Sequence, residues 1–165
     1  MKNEITGMRL RLIVMNFLQF AVWGAYLTSM GTYLFNIGLG AKIGLFYAMQ
    51  GIVSLFMPAI MGIIADRWVP AQKLYGFCHF MAAVFMVAAG WYGYVDGEAV
   101  NFGTLFTFYS LSVAFYMPTL ALTNSVAYTA LDKVKLDPVI AFPPIRIFGT
   151  IGFICSMLLL SLIHI

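Results

Sequence analysis

The stretch FPPIRIFGTIGF, Phe142 to Phe153, decides how this chain is read. Its apolar character continues almost unbroken to Ile165, and it carries a single cation, Arg146. A run of this kind supplies the ~20 residues that an α-helix needs to cross the hydrocarbon core of a bilayer. A cation inside such a span costs about 2.5–3.5 kcal/mol, so it faces a water-filled cavity or a partner rather than lipid. The other reading of Arg146 is a side chain that snorkels to nearby headgroups.

Working outward, the whole chain shares this character. Of its 165 residues 62% are apolar and 9% charged, where a soluble domain carries roughly a quarter charged residues. Apolar runs and breakers predict five spans, 11–36, 42–65, 74–95, 102–128 and 143–165, without the strict alternation of barrel strands. The fold class is therefore all-α and polytopic. Basic residues precede the first span, but that span is too long for a signal peptide and lacks a small-residue cleavage pattern. The connections are short, and only TALDKVKLDPVIA from Thr129 has room for an interfacial helix.

Charge sets the expected orientation. Lys2, Arg9, Arg11, Arg67, Lys73, Lys133 and Lys135 fall on one side and only Lys42 on the other, which places the N-terminus in the cytoplasm by the positive-inside rule. The net charge of +3 is spread over short loops and does not suggest nucleic-acid binding. Cys78 and Cys155 lie in predicted spans without a CxxC or Cys/His spacing, so neither a disulfide framework nor a metal site is expected. No nucleophile–base pair, HExxH or phosphate-cradling glycine loop is present, and no enzyme activity or catalytic residue is expected.

Three faces carry chemistry. In the fifth span Arg146, Thr150 and Phe153 recur at i, i+4 and i+7, presenting a cation, a hydroxyl and a ring on one helical face, with Gly149, Gly152 and Ser156 as a small-residue face beside it. Pro143 and Pro144 favour a helix start at that point. In the first span Asn16, Gln19, Trp23 and Tyr26 share a face, to be matched by a cavity or by another helix. The fourth span carries Tyr109, Ser112, Tyr116, Thr119 and Thr123, read as packing, with Pro118 as a kink. Asp66 and Arg67 offer a latch at a helix end, and His79 offers a proton carrier or a local hydrogen bond.

Through FLQFAVWGAYLTSMGTYLF (Phe17 to Phe35), FMPAIMGIIADRW (Phe56 to Trp68), YMPTLALTNSVAY (Tyr116 to Tyr128) and FPPIRIFGTIGF, the chain resembles the bacterial nucleoside permeases, the nucleoside:proton symporters of the major facilitator superfamily. GIIADR is similar to a reduced form of that superfamily's motif between helices two and three, with only Lys73 left of its basic second half. Family members tend to have an aspartate before FPPIR, where this chain has Ala141. The resemblance implies twelve helices in two halves with nucleoside held between them, and it transfers a substrate-binding role to Arg146, Thr150 and Phe153. Gln19 and Trp23 are added from the polar face of the first span. It further implies proton-driven uptake across a bacterial inner membrane with no cofactor besides the coupling proton. The lipid bilayer and the C-terminal half of the same transporter are then the chain's partners, and the chain is an N-terminal fragment. The closing LSLIHI, Leu160 to Ile165, also coincides with one frame of a transposon-end sequencing adapter, so native sequence and adapter are alternatives there. A proton-coupled sugar or oligosaccharide symporter and a non-transporting membrane scaffold are the other functional readings. No carboxylate falls inside a predicted span, which assigns the coupling acid to the absent half.

The orientation is open to a direct test. In a background with Cys78 and Cys155 replaced by serine, a cysteine at Asp96 is expected to react with an impermeant thiol reagent in whole cells, and one at Lys133 is not. Preferential labelling at position 133 inverts the topology.

Overall fold

The computed structural model describes residues 2–163 as five helices: α1 (Lys2–Asn36), α2 (Ile43–Arg67), α3 (Ala71–Asp96), α4 (Phe102–Lys133) and α5 (Pro138–Ile163), with 3-10 turns at Gly40–Lys42 and Gly97–Ala99. All five are long and apolar enough to cross a membrane. The end of the LSLIHI segment, His164 and Ile165, lies outside the described residues.

The helices outrun the apolar segments, because hydropathy marks only the part at membrane depth whereas the hydrogen-bond ladder runs on to a cap. The 35 residues of α1 extend about 52 Å at 1.5 Å per residue, well beyond a ~30 Å hydrocarbon core. It ends at Gly38, whose φ of 76° permits the wrap in which the Leu39 amide donates to the Leu34 carbonyl at 2.8 Å. Asn101 starts α4 by accepting from the Gly103 amide at 2.8 Å.

α5 begins at Pro138 rather than at residue 143. Asp137 supplies the reason: its Oδ1 accepts from the Val139 amide at 2.9 Å, and Pro138 occupies the first helical position, where a missing N–H costs nothing. Pro143 and Pro144 therefore lie inside the helix. The long fourth connection shrinks to 134–137, with Lys135 at a φ of 57° closing the end of α4. α4 stays helical through Pro118.

The helices are divided between two compact units. One takes α1 as far as Met30 together with the chain from Thr123 onward. Its core is Leu12, Ala127, Leu131, Ala141, Phe142 and Ile145, with the Tyr128 ring edge-on to Phe142 at 4.9 Å. Here α1 and α5 meet through glycines. A Cβ at Gly152 would run into the Phe17 carbonyl, and one at Gly24 would lie 2.9 Å from the Phe153 carbonyl oxygen. Small residues permit this approach, as they do wherever membrane helices pack backbone to backbone.

The other unit is Gly31–Leu122. Polar bonds tie its helices together: Gln50 Nε2 donates to the Tyr109 hydroxyl at 2.6 Å, and Ser112 Oγ donates to the Ala82 carbonyl at 2.7 Å. The Phe46 ring packs on Tyr109 at 4.9 Å and on Phe106 at 5.2 Å. A second cluster gathers Met61, Leu74, Cys78 and Leu122. Within the helices the amides Asn16, Gln19 and Gln50 are buried, at 0%, 2% and 7%, while large apolar side chains such as Leu55, at 74%, are exposed. That is the arrangement expected where lipid is the solvent and unpaired polar groups have nowhere else to go.

The glycine crossing yields a stability prediction. Gly152→Ala puts a methyl against a backbone carbonyl that cannot rotate away, and it is expected to cost about 1–3 kcal/mol by overpacking. Gly90→Ala, where a Cβ meets nothing within 4 Å, is expected to be neutral or to gain up to about 1 kcal/mol in helix propensity. Thermal unfolding of the two variants in detergent checks the contrast.

Candidate functional site

The unit containing the start of α1 and all of α5 holds the candidate site. Gly149 sets its geometry: a Cβ there would lie 2.7 Å from the Phe20 ring and 2.8 Å from Arg146 Nη1. The bare backbone thus makes room for an aromatic ring from α1 and a guanidinium from its own helix. The Arg146 guanidinium carbon sits 3.8 Å from the centroid of the Phe20 ring. A cation over an aromatic face gains about 0.5–2 kcal/mol and is held flat. No described residue accepts a hydrogen bond from this guanidinium, so its planar fork of donors stays available.

From Phe20 the rings continue. Trp23 lies 6.0 Å from Phe20 at 60°, and Phe153 lies 5.5 Å from Trp23 at 56°. These tilted arrangements favour contact between the electropositive edge of one ring and the face of the next. Arg146, Phe20, Trp23 and Phe153 therefore form one continuous row across α1 and α5. The Trp23 Nε1–H is buried without an acceptor among the described residues. A buried donor left unpaired is costly, and it is a natural point of attachment for a ligand oxygen.

Of the residues expected from sequence, Arg146, Trp23 and Phe153 are thus brought together. Gln19 is 2% exposed and has bonding partners inside the protein. Thr150, one turn beyond Arg146, is exposed on α5. Phe20 was not expected. Its position completes the spacing Asn16, Gln19, Phe20, Trp23, which is i, i+3, i+4, i+7 on a helix, but a phenylalanine in an apolar span reads as ordinary packing. Asn16 stands a turn before it, with its Nδ2 donating to the Leu12 carbonyl at 2.9 Å and its Oδ1 buried without a partner among the described residues.

The remaining candidates sit elsewhere. His79 Nδ1 lies 3.0 Å from the Tyr75 carbonyl one turn back on α3, the local hydrogen bond rather than a relay geometry. Tyr109, Ser112, Tyr116, Thr119 and Thr123 are all buried, as packing requires. Asp66 and Arg67 close the end of α2.

Comparison with known proteins gives a consistent result. Residues 6–165 match the family model described as nucleoside H+ symporter. The chain is 43% identical over 158 residues to the xanthosine permease of Escherichia coli, covering 94% of this chain and 36% of that protein. It is 40% identical over 159 residues to the nucleoside permease NupG of Escherichia coli, with the same coverage of each. The crystal structure of the nucleoside transporter NupG matches with a TM-score of 0.80 at 39% identity, over 94% of this chain and 37% of that one. A mutant of NupG matches with a TM-score of 0.83 at 40% identity, over 94% and 37% of the two chains. The chain thus spans a little over a third of the length of these relatives, and its all-helical fold matches that share of a major facilitator transporter.

The stacked cation supplies a prediction that needs no ligand. In a double-mutant cycle of Phe20→Leu and Arg146→Met, the coupling between the two positions is expected to be about 0.5–2 kcal/mol in unfolding free energy. A coupling of zero removes Phe20 as the support of Arg146.

Proposed function

The chain belongs to the nucleoside H+ symporter family, and from that premise we propose that it carries the N-terminal substrate-binding elements of a proton-coupled nucleoside permease. The observation that carries the proposal is the row Arg146, Phe20, Trp23 and Phe153. A nucleoside is a planar heterocycle joined to a hydroxyl-rich sugar. The row offers matching chemistry: ring faces for the base, and a guanidinium fork and an indole N–H for base carbonyls or ribose oxygens. Thr150 adds a hydroxyl on the same helix, and Gln19 supports the polar face of α1 from within.

Substrate uptake follows the logic of such transporters, in which one half rocks against the other around a site near the midplane. The relatives' remaining length supplies the second half. Coupling requires a group that titrates within the membrane, and the acidic residues of this chain lie at helix ends and connections: Glu4, Asp66, Asp96, Glu98, Asp132 and Asp137. We therefore place the coupling carboxylate in that second half. The work is transport, with the bacterial inner membrane as its location and the N-terminus in the cytoplasm.

Arg146→Lys tests the site within a full-length transporter. Lysine keeps the charge but loses the planar fork. Loss of a hydrogen bond to a charged group removes about 1.5–3 kcal/mol, roughly a ten- to hundredfold weakening of nucleoside binding. Thr150→Val is expected to lose less, and Trp23→Ala to lose more than Trp91→Ala, Trp91 being an exposed ring near the end of α3. Binding is measured on purified protein, with thermal stability checked alongside. If Arg146→Lys binds nucleoside like the wild type, the arginine is an anchor and the site assignment is wrong. Labelled uridine uptake is expected to be competed by other nucleosides and not by disaccharides.

A further inference from the structure

Away from the ring row, the same unit contains a cavity of about 680 Å³ lined by Glu4, Ile5, Met8 and Arg11 of α1 and by Lys133, Val134 and Lys135 at the end of α4. We propose that it is a binding site for a phosphate-bearing anionic headgroup. Three cations converge on it from two separated parts of the chain, against one carboxylate, Glu4. Ile5, Met8 and Val134 are half-buried in the same lining, so the site presents charge and apolar surface together, as an amphiphile requires. It also lies at the ends of α1 and α4 rather than along their apolar middles. A few residues further on, at the start of α5, Val139 and Ile140 are 80% and 75% exposed, an apolar surface beside the cations that suits acyl chains. Basic pockets between helix ends bind anionic headgroups, and each nearby cation strengthens the attraction.

Helix-end electrostatics accounts for part of this cluster, because Lys133 closes α4 where cations complement the C-terminal dipole. It does not account for Lys135. That residue has a φ of 57°, a left-handed conformation in which glycine is the ordinary choice. Its amide donates to the Asp132 carbonyl at 2.9 Å and the next amide, of Leu136, to the Leu131 carbonyl at 3.1 Å. Glycine would make both bonds without strain. Lysine there costs stability and adds one thing, an ammonium in the wall of the cavity.

That contrast makes Lys135→Gly the informative variant, since it relieves the backbone while removing the charge. The full-length transporter is placed in nanodiscs of phosphatidylcholine alone or with a third of the lipid replaced by phosphatidylglycerol. Thermal unfolding and native mass spectrometry of retained lipid are recorded. Phosphatidylglycerol is expected to raise the melting temperature of the wild type. Lys135→Gly is expected to melt at or above the wild type in phosphatidylcholine and to lose most of the rise. Arg11→Gln and Lys133→Gln are each expected to weaken phosphatidylglycerol retention about fivefold, and Glu4→Gln to strengthen it. Inorganic phosphate or glycerol phosphate added in detergent separates the sources: a matching rise in the wild type that Lys135→Gly loses assigns the site to a soluble phosphate, and its absence assigns it to lipid. An equal response of the wild type and Lys135→Gly to phosphatidylglycerol, or no response in either, overturns the proposal.

Discussion

The contact between Gly152 and the Phe17 carbonyl is the constraint from which the candidate site follows. Two membrane helices gain little from apolar burial when lipid is as apolar as their side chains, so they are held by shape and by close backbone approach. Once α5 lies against α1 at Gly152 and Gly24, the ring of Phe20 has one place to go, over the bare backbone of Gly149. Arg146 then meets an aromatic face instead of hydrocarbon. The cation is tolerated because the neighbouring helix brings it a surface with a negative quadrupole, and only a glycine lets that surface come near enough.

In the unit formed by Gly31–Leu122 the same problem is solved by hydrogen bonds. Gln50 reaches Tyr109 from α2 to α4, and Ser112 reaches the Ala82 backbone from α4 to α3. Each bond satisfies a group that lipid could not, so each is specific about which helix faces which. Close approach and polar bonding are thus used in different parts of one chain.

Much of this was legible in the sequence, and the failures have physical causes. The number and class of the helices followed from hydropathy, because crossing a bilayer leaves a composition that little else imitates. Arg146, Trp23 and Phe153 stood out because a polar or amphipathic residue at helical spacing is unusual in an apolar span. Phe20 was invisible for the opposite reason: a phenylalanine among Phe17, Leu18 and Ala21 carries no mark of what lies above it, and only the juxtaposition with α5 reveals its task. The start of α5 was misplaced because a proline pair is a strong breaker in isolation. The Asp137–Pro138 pair just upstream is a complete start signal, and a helix already nucleated there runs through Pro143 and Pro144.

Those two prolines leave a mechanical signature. A regular α-helix would send their amides to the carbonyls of Val139 and Ile140; neither amide exists, so two successive rungs of the ladder are missing. Stiffness in a helix comes from those rungs. The first turn of α5, pinned to Asp137, is therefore joined to the stretch bearing Arg146 by a softened collar, across which the upper helix can tilt without breaking a hydrogen bond. The glycine contacts with α1 lie beyond that collar. Arg146, Gly149, Gly152 and Phe153 are consequently seated against α1 on the far side of the collar, while Ala141 and Phe142 pack into the core on its near side.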